Sequence, residues 1–531
     1  MSVVSYSFIL FITILIIVYF LVPARLQWIL LLLASFLFYL TNGWQAIFYI
    51  GTTIVSQWGI GLILQKKNDR MEADIREKNL KGAALVALKK AYTSQKKKYL
   101  ILSILINIGI LCYVKYMNFI IENINLILEG KGSSGIDTLN VLVPLGVSFY
   151  TFKSVGYVVD VYRGREKAQK NLFRFALYIS YFPALIQGPI DLYHDLGHQL
   201  NEPHSYDRRR LIFGLWRMLF GYMKKLIIAE RASVIVHQIL NNYTDNSYYG
   251  FFIVFAGVLY AFEIYADFSG GMDIVLGLSE VFGIRLTENF RQPYLACSVA
   301  EFWQRWHITL GAWMRNYLFY PISLSSSFNR LRKKCRKVFG NRMGRVIPTC
   351  LASFIVFFMV GVWHGASWKY IVYGIYHAVF VSGGTLLADR YKAMRAFFHI
   401  NDKSRLWKGF CVVRTFIIVT IGRYFSTASS LDDAIGLFRA TGRSFNPWIF
   451  FDGSLYNLGL DRQNFWLMIL AIIGLILIDF GHESGVHFRE VIERQPLPLR
   501  WGIIYLALFA LLIFGIYGPG FDASAFIYQK F

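Results

Sequence analysis

Two short stretches carry residue types able to do acid–base chemistry. Residues 301–321 read EFWQRWHITLGAWMRNYLFYP and residues 361–368 read GVWHGASW, so a Trp-His pair recurs at His307 and His364. Histidine suits proton transfer because its unperturbed pKa, about 6.5, lies near neutrality. In the first stretch Trp303, Trp306, Leu310, Trp313 and Tyr317 recur at helical spacing. That spacing predicts a helix with His307 on its buried stripe and Arg305 and Asn316 off it. Glu301 and Arg305 stand four residues apart, the favourable spacing for a helical ion pair. In the second stretch an apolar run ends at His364 between Gly361 and Gly365, glycines that let a backbone or ligand approach closely. Taken singly, either histidine is more often a satisfied structural residue than a working one.

Three further stretches place ionisable or polar groups in apolar surroundings, where they are costly and point to function. AFEIYADFSGGMDIVLG (261–277) holds Glu263, Asp267 and Asp273. SFYTFKSVGYVVDVYRG (148–164) holds Lys153 and Asp160, and TENFRQPY (287–294) is a polar lead into the His307 stretch. The plainer expectation for Asp267 and Asp273 is capping or pairing with lysines.

The elements that must hold these residues are membrane helices. The chain has 531 residues, 56% hydrophobic and only 16% charged. A spanning helix needs about 20 mostly apolar residues. Eleven stretches qualify: 5–22, 27–41, 44–64, 99–119, 139–159, 249–266, 346–363, 368–387, 408–425, 464–480 and 501–517. The first is too long, and lacks the basic lead and cleavage site, for a removed signal peptide. Residues 66–98 hold 11 Lys/Arg against four acids, and 330–345 hold eight with no acid. Both read as cytoplasmic basic loops, which places the N-terminus outside the cell. The loops 127–138, 241–248 and 428–463 then read as external.

The net charge of +23 is loop charge on a membrane protein and does not suggest nucleic acid. The five cysteines show neither a disulfide framework nor metal-ligand spacing. Residues 173–190 are apolar but flanked by basic segments and interrupted by Pro183, Gly188 and Pro189. They read as a re-entrant or surface-lying segment with a cavity near Gln187, or as a kinked ordinary helix. Residues 211–238, with Lys224, Lys225, Glu230 and Arg231, read as a tilted or partly interfacial helix.

In this order, DFSGGMDIVLGL, TENFRQPY, EFWQRWHITLGAWMRNYLFYP and GVWHGASW resemble the membrane-bound O-acyltransferase (MBOAT) family. The likeness is to its bacterial branch of alginate O-acetyltransferase membrane subunits and teichoic-acid D-alanyl transferases. YTFKSVGYVVDVYRG, YISYFPALIQGPI and the terminal FGIYGPGFDASAFIYQKF share it. PISLSSS (321–327) and RYFSTA (423–428) depart from the family pattern and bear on subgroup rather than reaction.

The resemblance implies an all-α polytopic membrane protein with roughly 11 or more transmembrane helices. Re-entrant or interfacial helices would surround a central tunnel. One membrane domain would fill 1–531, with the catalytic core at 140–380. It implies His364 as catalytic residue and His307 as the second active-site polar residue. Asp267, Ser269, Asn289, Trp303, Arg305, Trp306, Arg315, Asn316, Trp363 and Gln187 become candidates for lining the substrate path. His307 would orient the acceptor hydroxyl or hydrogen-bond the thioester carbonyl, and Gly365 N–H or Asn316 would be oxyanion donors.

The implied reaction takes an acetyl group from cytoplasmic acetyl-CoA, a substrate rather than a resident cofactor, and delivers it across a bacterial cell membrane to an exported glycan. Arg332, Lys333, Lys334 and Arg336 are candidates for the CoA phosphates. An extracytoplasmic SGNH-type partner would complete transfer. The alternatives are D-alanyl transfer from a carrier protein, and a transporter or flippase whose activity would survive loss of His364.

Overall fold

A computed structural model describes residues 2–131, 135–244 and 248–517. The terminal motif therefore lies mostly outside the described residues, as do parts of the loops 127–138 and 241–248. Among the described residues the chain is helical throughout, apart from one isolated β-bridge, Phe290 with Trp306. It forms two compact units, Met1–Leu215 with Val275–Thr287, and Trp216–Ile274 with Glu288–Phe531.

Seven described helices are long and apolar enough to cross a membrane, or eight if the bent pair Trp368–Leu386 and Ala388–Phe397 is one span. This corrects the expected eleven or more. Hydropathy adds apolar residues whether they face lipid or protein, and several candidates prove short. Tyr6–Leu21 has 16 residues and Gln27–Leu40 has 14. At a rise of 1.5 Å per residue, 16 residues reach only about 24 Å. The stretch 139–159 becomes a 17-residue helix, Val147–Arg163, buried along nearly its whole length.

In the first unit, the spans Ala46–Glu77 and Gly82–Glu129 include most of the basic stretch 66–98, which is thus helical apart from a turn. The segment around Gln187 is two short buried helices, Leu172–Ser180 and Phe182–Ile186, broken at Tyr181. Asn171 caps the first by accepting from the Phe173 N–H at 2.9 Å. The irregular backbone that follows is buried within the protein to Asp191.

In the second unit, Ser326–His364 is two helices across a sharp turn at Gly340, whose φ of 82° suits glycine. A Cβ on Gly344 would stand 2.7 Å from Arg336 Cα, so the chain folds back on itself there. The upper helix carries His364 at its end and lies tightly against Trp368–Leu386. A Cβ on Gly361 would meet the Tyr370 carbonyl, and one on Gly374 the Phe357 carbonyl and, at 3.0 Å, Gly361 Cα. These two glycines bring the backbones together and set His364 beside Tyr370 and Tyr373, whose ring centroids lie 6.4 and 5.6 Å away.

Gly374→Ala is expected to force this crossing apart at a cost of about 1–3 kcal/mol, read as a lowered unfolding midpoint in detergent. An unchanged midpoint would show that the contact is not tight.

Candidate active site

The His307 stretch is not one helix. Val299–Arg305 ends, Trp306 is extended, His307 takes left-handed backbone at φ 48° and ψ 53°, and a second helix runs Ile308–Met314. For a non-glycine residue that conformation costs roughly 1–2 kcal/mol. The polar lead of residues 289–291 supplies the compensation by running antiparallel to residues 305–308. Arg291 N–H donates to the Arg305 carbonyl at 2.9 Å, and Ile308 N–H to the Asn289 carbonyl at 3.0 Å. Period-3.6 reading misses this break because Trp306 and His307 stay buried on either geometry.

The Asn289 side chain completes the clasp. Its Oδ1 accepts from the Thr309 N–H at 3.0 Å, from Thr309 Oγ1 at 2.9 Å, and faces His307 Nδ1 at 3.3 Å. Because the backbone N–H is unambiguously a donor, the Asn289 atom facing it is the oxygen. His307 Nδ1 must then carry the proton, which leaves the lone pair on Nε2. His307 is 1% exposed and lies outside the spanning helices. Burial pushes its pKa down to about 3.

Aromatic rings wall the two histidines. His307 meets Phe268 at 5.0 Å and Trp363 at 5.5 Å between centroids, and Trp363 meets His364 at 5.0 Å. Trp363 therefore touches both histidines. Trp306 is buried beneath the Arg423 guanidinium, 4.4 Å from its ring. Trp303 stands against Phe357 and His377 at 5.4 and 5.0 Å.

Other candidates are held in ion pairs and hydrogen bonds. Arg305 pairs with Glu301 at 2.7 Å and holds Glu483 bidentately at 2.7 and 2.9 Å, tying this stretch to the end of Arg462–Glu483. Asp267 pairs with Lys225 at 2.6 Å, while Lys224 donates to Ser269 at 2.9 Å and pairs with Asp273 at 2.5 Å. The plainer reading of these carboxylates holds. A π-helical turn, Lys224–Ala229, carries both lysines and is fully buried within the protein.

Arg315 is exposed and Asn316 half-buried on a π-helical turn, Arg315–Phe319. Gln187 belongs to the other unit, where neither end of its buried amide finds a hydrogen-bond partner among the described residues. A cleft of about 500 Å³ beside the Gly340 turn is lined by Lys333, Arg336, Lys337, Gly340 and Asn341. Arg332 and Lys334 are not among its lining. Among the described residues no cluster of metal-ligating side chains occurs.

Residues 168–430 match the membrane-bound O-acyltransferase family. Over 467 residues the chain is 32% identical to the "Probable alginate O-acetylase AlgI" of Pseudomonas aeruginosa, covering 86% of this chain and 78% of that one. The chain belongs to the membrane-bound O-acyltransferase family. It is a multi-pass membrane O-acyltransferase, and further proteins are similar to it as well. The peptidoglycan O-acetyltransferase of Helicobacter pylori is 28% identical, covering 64% of each chain. The teichoic acid D-alanyltransferase of Bacillus subtilis is 31% identical, covering 46% of this chain and 59% of that one.

The sequence analysis singles out neither Arg423 nor His377 in this MBOAT protein. Arg423 is 1% exposed and donates to the Tyr373 hydroxyl at 3.3 Å. A buried cation in RYFSTA and a histidine inside an apolar span were the available signals.

Histidine-labelled protein in detergent, followed by NMR, should show His307 protonated on Nδ1 and neutral from pH 8 to pH 5. The unfolded chain takes up a proton below about 6.5 and the folded site does not, so His307 subtracts stability as pH falls from there toward 3. A His307 titration midpoint near 6.5 would contradict this assignment.

Proposed function

We propose that this protein transfers an acetyl group from cytoplasmic acetyl-CoA across a bacterial cell membrane for O-acetylation of an exported polysaccharide or cell-wall glycan. The observation that carries the reading is the pair of buried histidines meeting at Trp363, one with its tautomer fixed by Asn289. Similarity to alginate O-acetylases over most of the chain supports the acetyl donor and the glycan acceptor.

An alcohol at neutral pH is a poor nucleophile, and a positioned base that takes its proton contributes about 10²–10⁴-fold. His364 serves as that base. His307 is poorly suited to it, because burial leaves Nε2 a weak proton acceptor. With its proton committed to Nδ1, His307 offers only a lone pair at Nε2. It therefore orients the acceptor by accepting from a hydroxyl beside the reacting one, whose own proton stays available to His364, and it cannot hydrogen-bond the thioester carbonyl, which donates nothing. Acceptor oxygen attacks the thioester carbon, the hydroxyl proton passes to His364, and collapse expels CoA sulfur, which takes up that proton.

The cations Lys333, Arg336 and Lys337 around the cleft beside Gly340 suit CoA phosphates. The positive-inside argument supports a cytoplasmic position for this end and an external N-terminus. Delivery to a glycan outside fits a separate extracytoplasmic SGNH-type partner. D-alanyl transfer ranks second, because likeness to the teichoic acid enzyme covers about half as much of the chain.

Purified protein in liposomes given radiolabelled acetyl-CoA and a glycan acceptor tests the reading. Wild type should release CoA and transfer label, and His364→Ala should lose at least about 10²-fold of that rate. Undiminished transfer by His364→Ala would overturn it.

A further inference from the structure

Beyond His364, the helix Trp368–Leu386 carries a histidine that the proposed mechanism does not use. His377 is fully buried, and neither ring nitrogen finds a hydrogen-bond partner among the described residues. Its neighbour Trp303 has the same property at Nε1. The rings of Trp303 and His377 lie 5.0 Å apart and edge-on, and Tyr373 meets His377 at 4.6 Å. Gly422 fronts the Nε2 side of His377, where a Cβ would stand 3.1 Å away.

Tyr373 links this group to the site. Its ring lies 5.6 Å from His364, and its hydroxyl oxygen accepts from Arg423 at 3.3 Å. Arginine can only donate, so the Tyr373 proton is left to be given elsewhere, and no described residue takes it. A hydrogen bond received from a cation strengthens the hydroxyl as a donor in turn. Leaving a buried polar atom unsatisfied costs about 1–3 kcal/mol. Three neighbouring side chains with unspent donors are therefore better explained by a polar group that enters than by packing alone.

We infer that Trp303, Tyr373 and His377 form a second polar subsite beside His364, which receives the carbonyl oxygen of the acyl thioester. The inference rests on the acyl-transfer reading above. As the acceptor oxygen bonds to the thioester carbon, the carbonyl π pair moves onto this oxygen. The donors hold that negative charge without giving up their protons, and the charge returns as the C–S bond breaks and sulfur leaves with the proton from His364. A neutral imidazole supplies one N–H, the indole another and the phenol an O–H. Such donors belong where charge develops, because preorganised donors there act mainly on the transition state.

The test compares wild type with His377→Leu, Trp303→Phe and Tyr373→Phe in acetyl-CoA turnover and thermal unfolding. Trp303→Phe and Tyr373→Phe each keep an aromatic ring and delete one donor, so they inform even if His377→Leu fails to fold. Each variant should lose about 10²–10³-fold in kcat with little change in the KM for acetyl-CoA. His377→Leu should unfold no earlier than wild type, because it removes an unpaired polar ring from an apolar site. His377→Gln, which keeps N–H donors, should recover part of the rate.

Wild-type kcat in all three variants would overturn the inference, leaving a subsite that holds structural water only. A raised KM at unchanged kcat would also overturn it. Either result leaves the acyl-transfer reading standing, whereas wild type that neither consumes acetyl-CoA nor transfers label would remove both.

Discussion

Three donors converge on Asn289 Oδ1, and the arrangement of the site depends on that convergence. The Thr309 N–H fixes which end of the amide is oxygen, the oxygen fixes the His307 tautomer, and the tautomer decides what His307 can offer. The left-handed turn at His307 follows from the same clasp. Without the antiparallel run of residues 289–291 nothing would offset the cost of φ 48° at a histidine. An unbroken helix would spend the Ile308 N–H and the Arg305 carbonyl on its own i to i−4 bonds and present His307 from a different angle. Strain is held where chemistry is proposed, and the hydrogen bonds that hold it lie one layer behind.

Around the clasp several buried charges of the second unit are drawn into compact sets, Arg305 with Glu301 and Glu483, and Lys224 and Lys225 with the carboxylates of DFSGGMD, while Arg423 stands beside Tyr373 and Trp306. Buried ion pairs are weak sources of net stability, but breaking one is severe, so they act chiefly to fix register. The histidines are walled instead by Phe268, Trp363 and Tyr373. The apolar wall keeps the His307 imidazole neutral.

The residues that draw attention to the site are legible in the sequence, while the number of spans is not. Trp-His pairs at 307 and 364 stand out because ionisable groups are scarce in apolar runs, and the Glu301–Arg305 pair followed from spacing alone. The number of spans was overestimated because a buried helix such as Val147–Arg163 is as apolar as a lipid-facing one. The break at His307 was invisible because its cause, the Asn289 strand, arrives from outside the local window. Arg423 and His377 are not singled out by the sequence for a related reason. Each matters through partners on other helices, Tyr373 and Trp303, and no local pattern announces such neighbours.

The most direct measurement is a cryo-EM structure with a non-hydrolysable thioether analogue of acetyl-CoA. The account predicts the acyl group within about 3–4 Å of His364, its carbonyl toward Tyr373, and the CoA phosphates among Lys333, Arg336 and Lys337. An analogue bound with its acyl group remote from both His364 and His307 would contradict it.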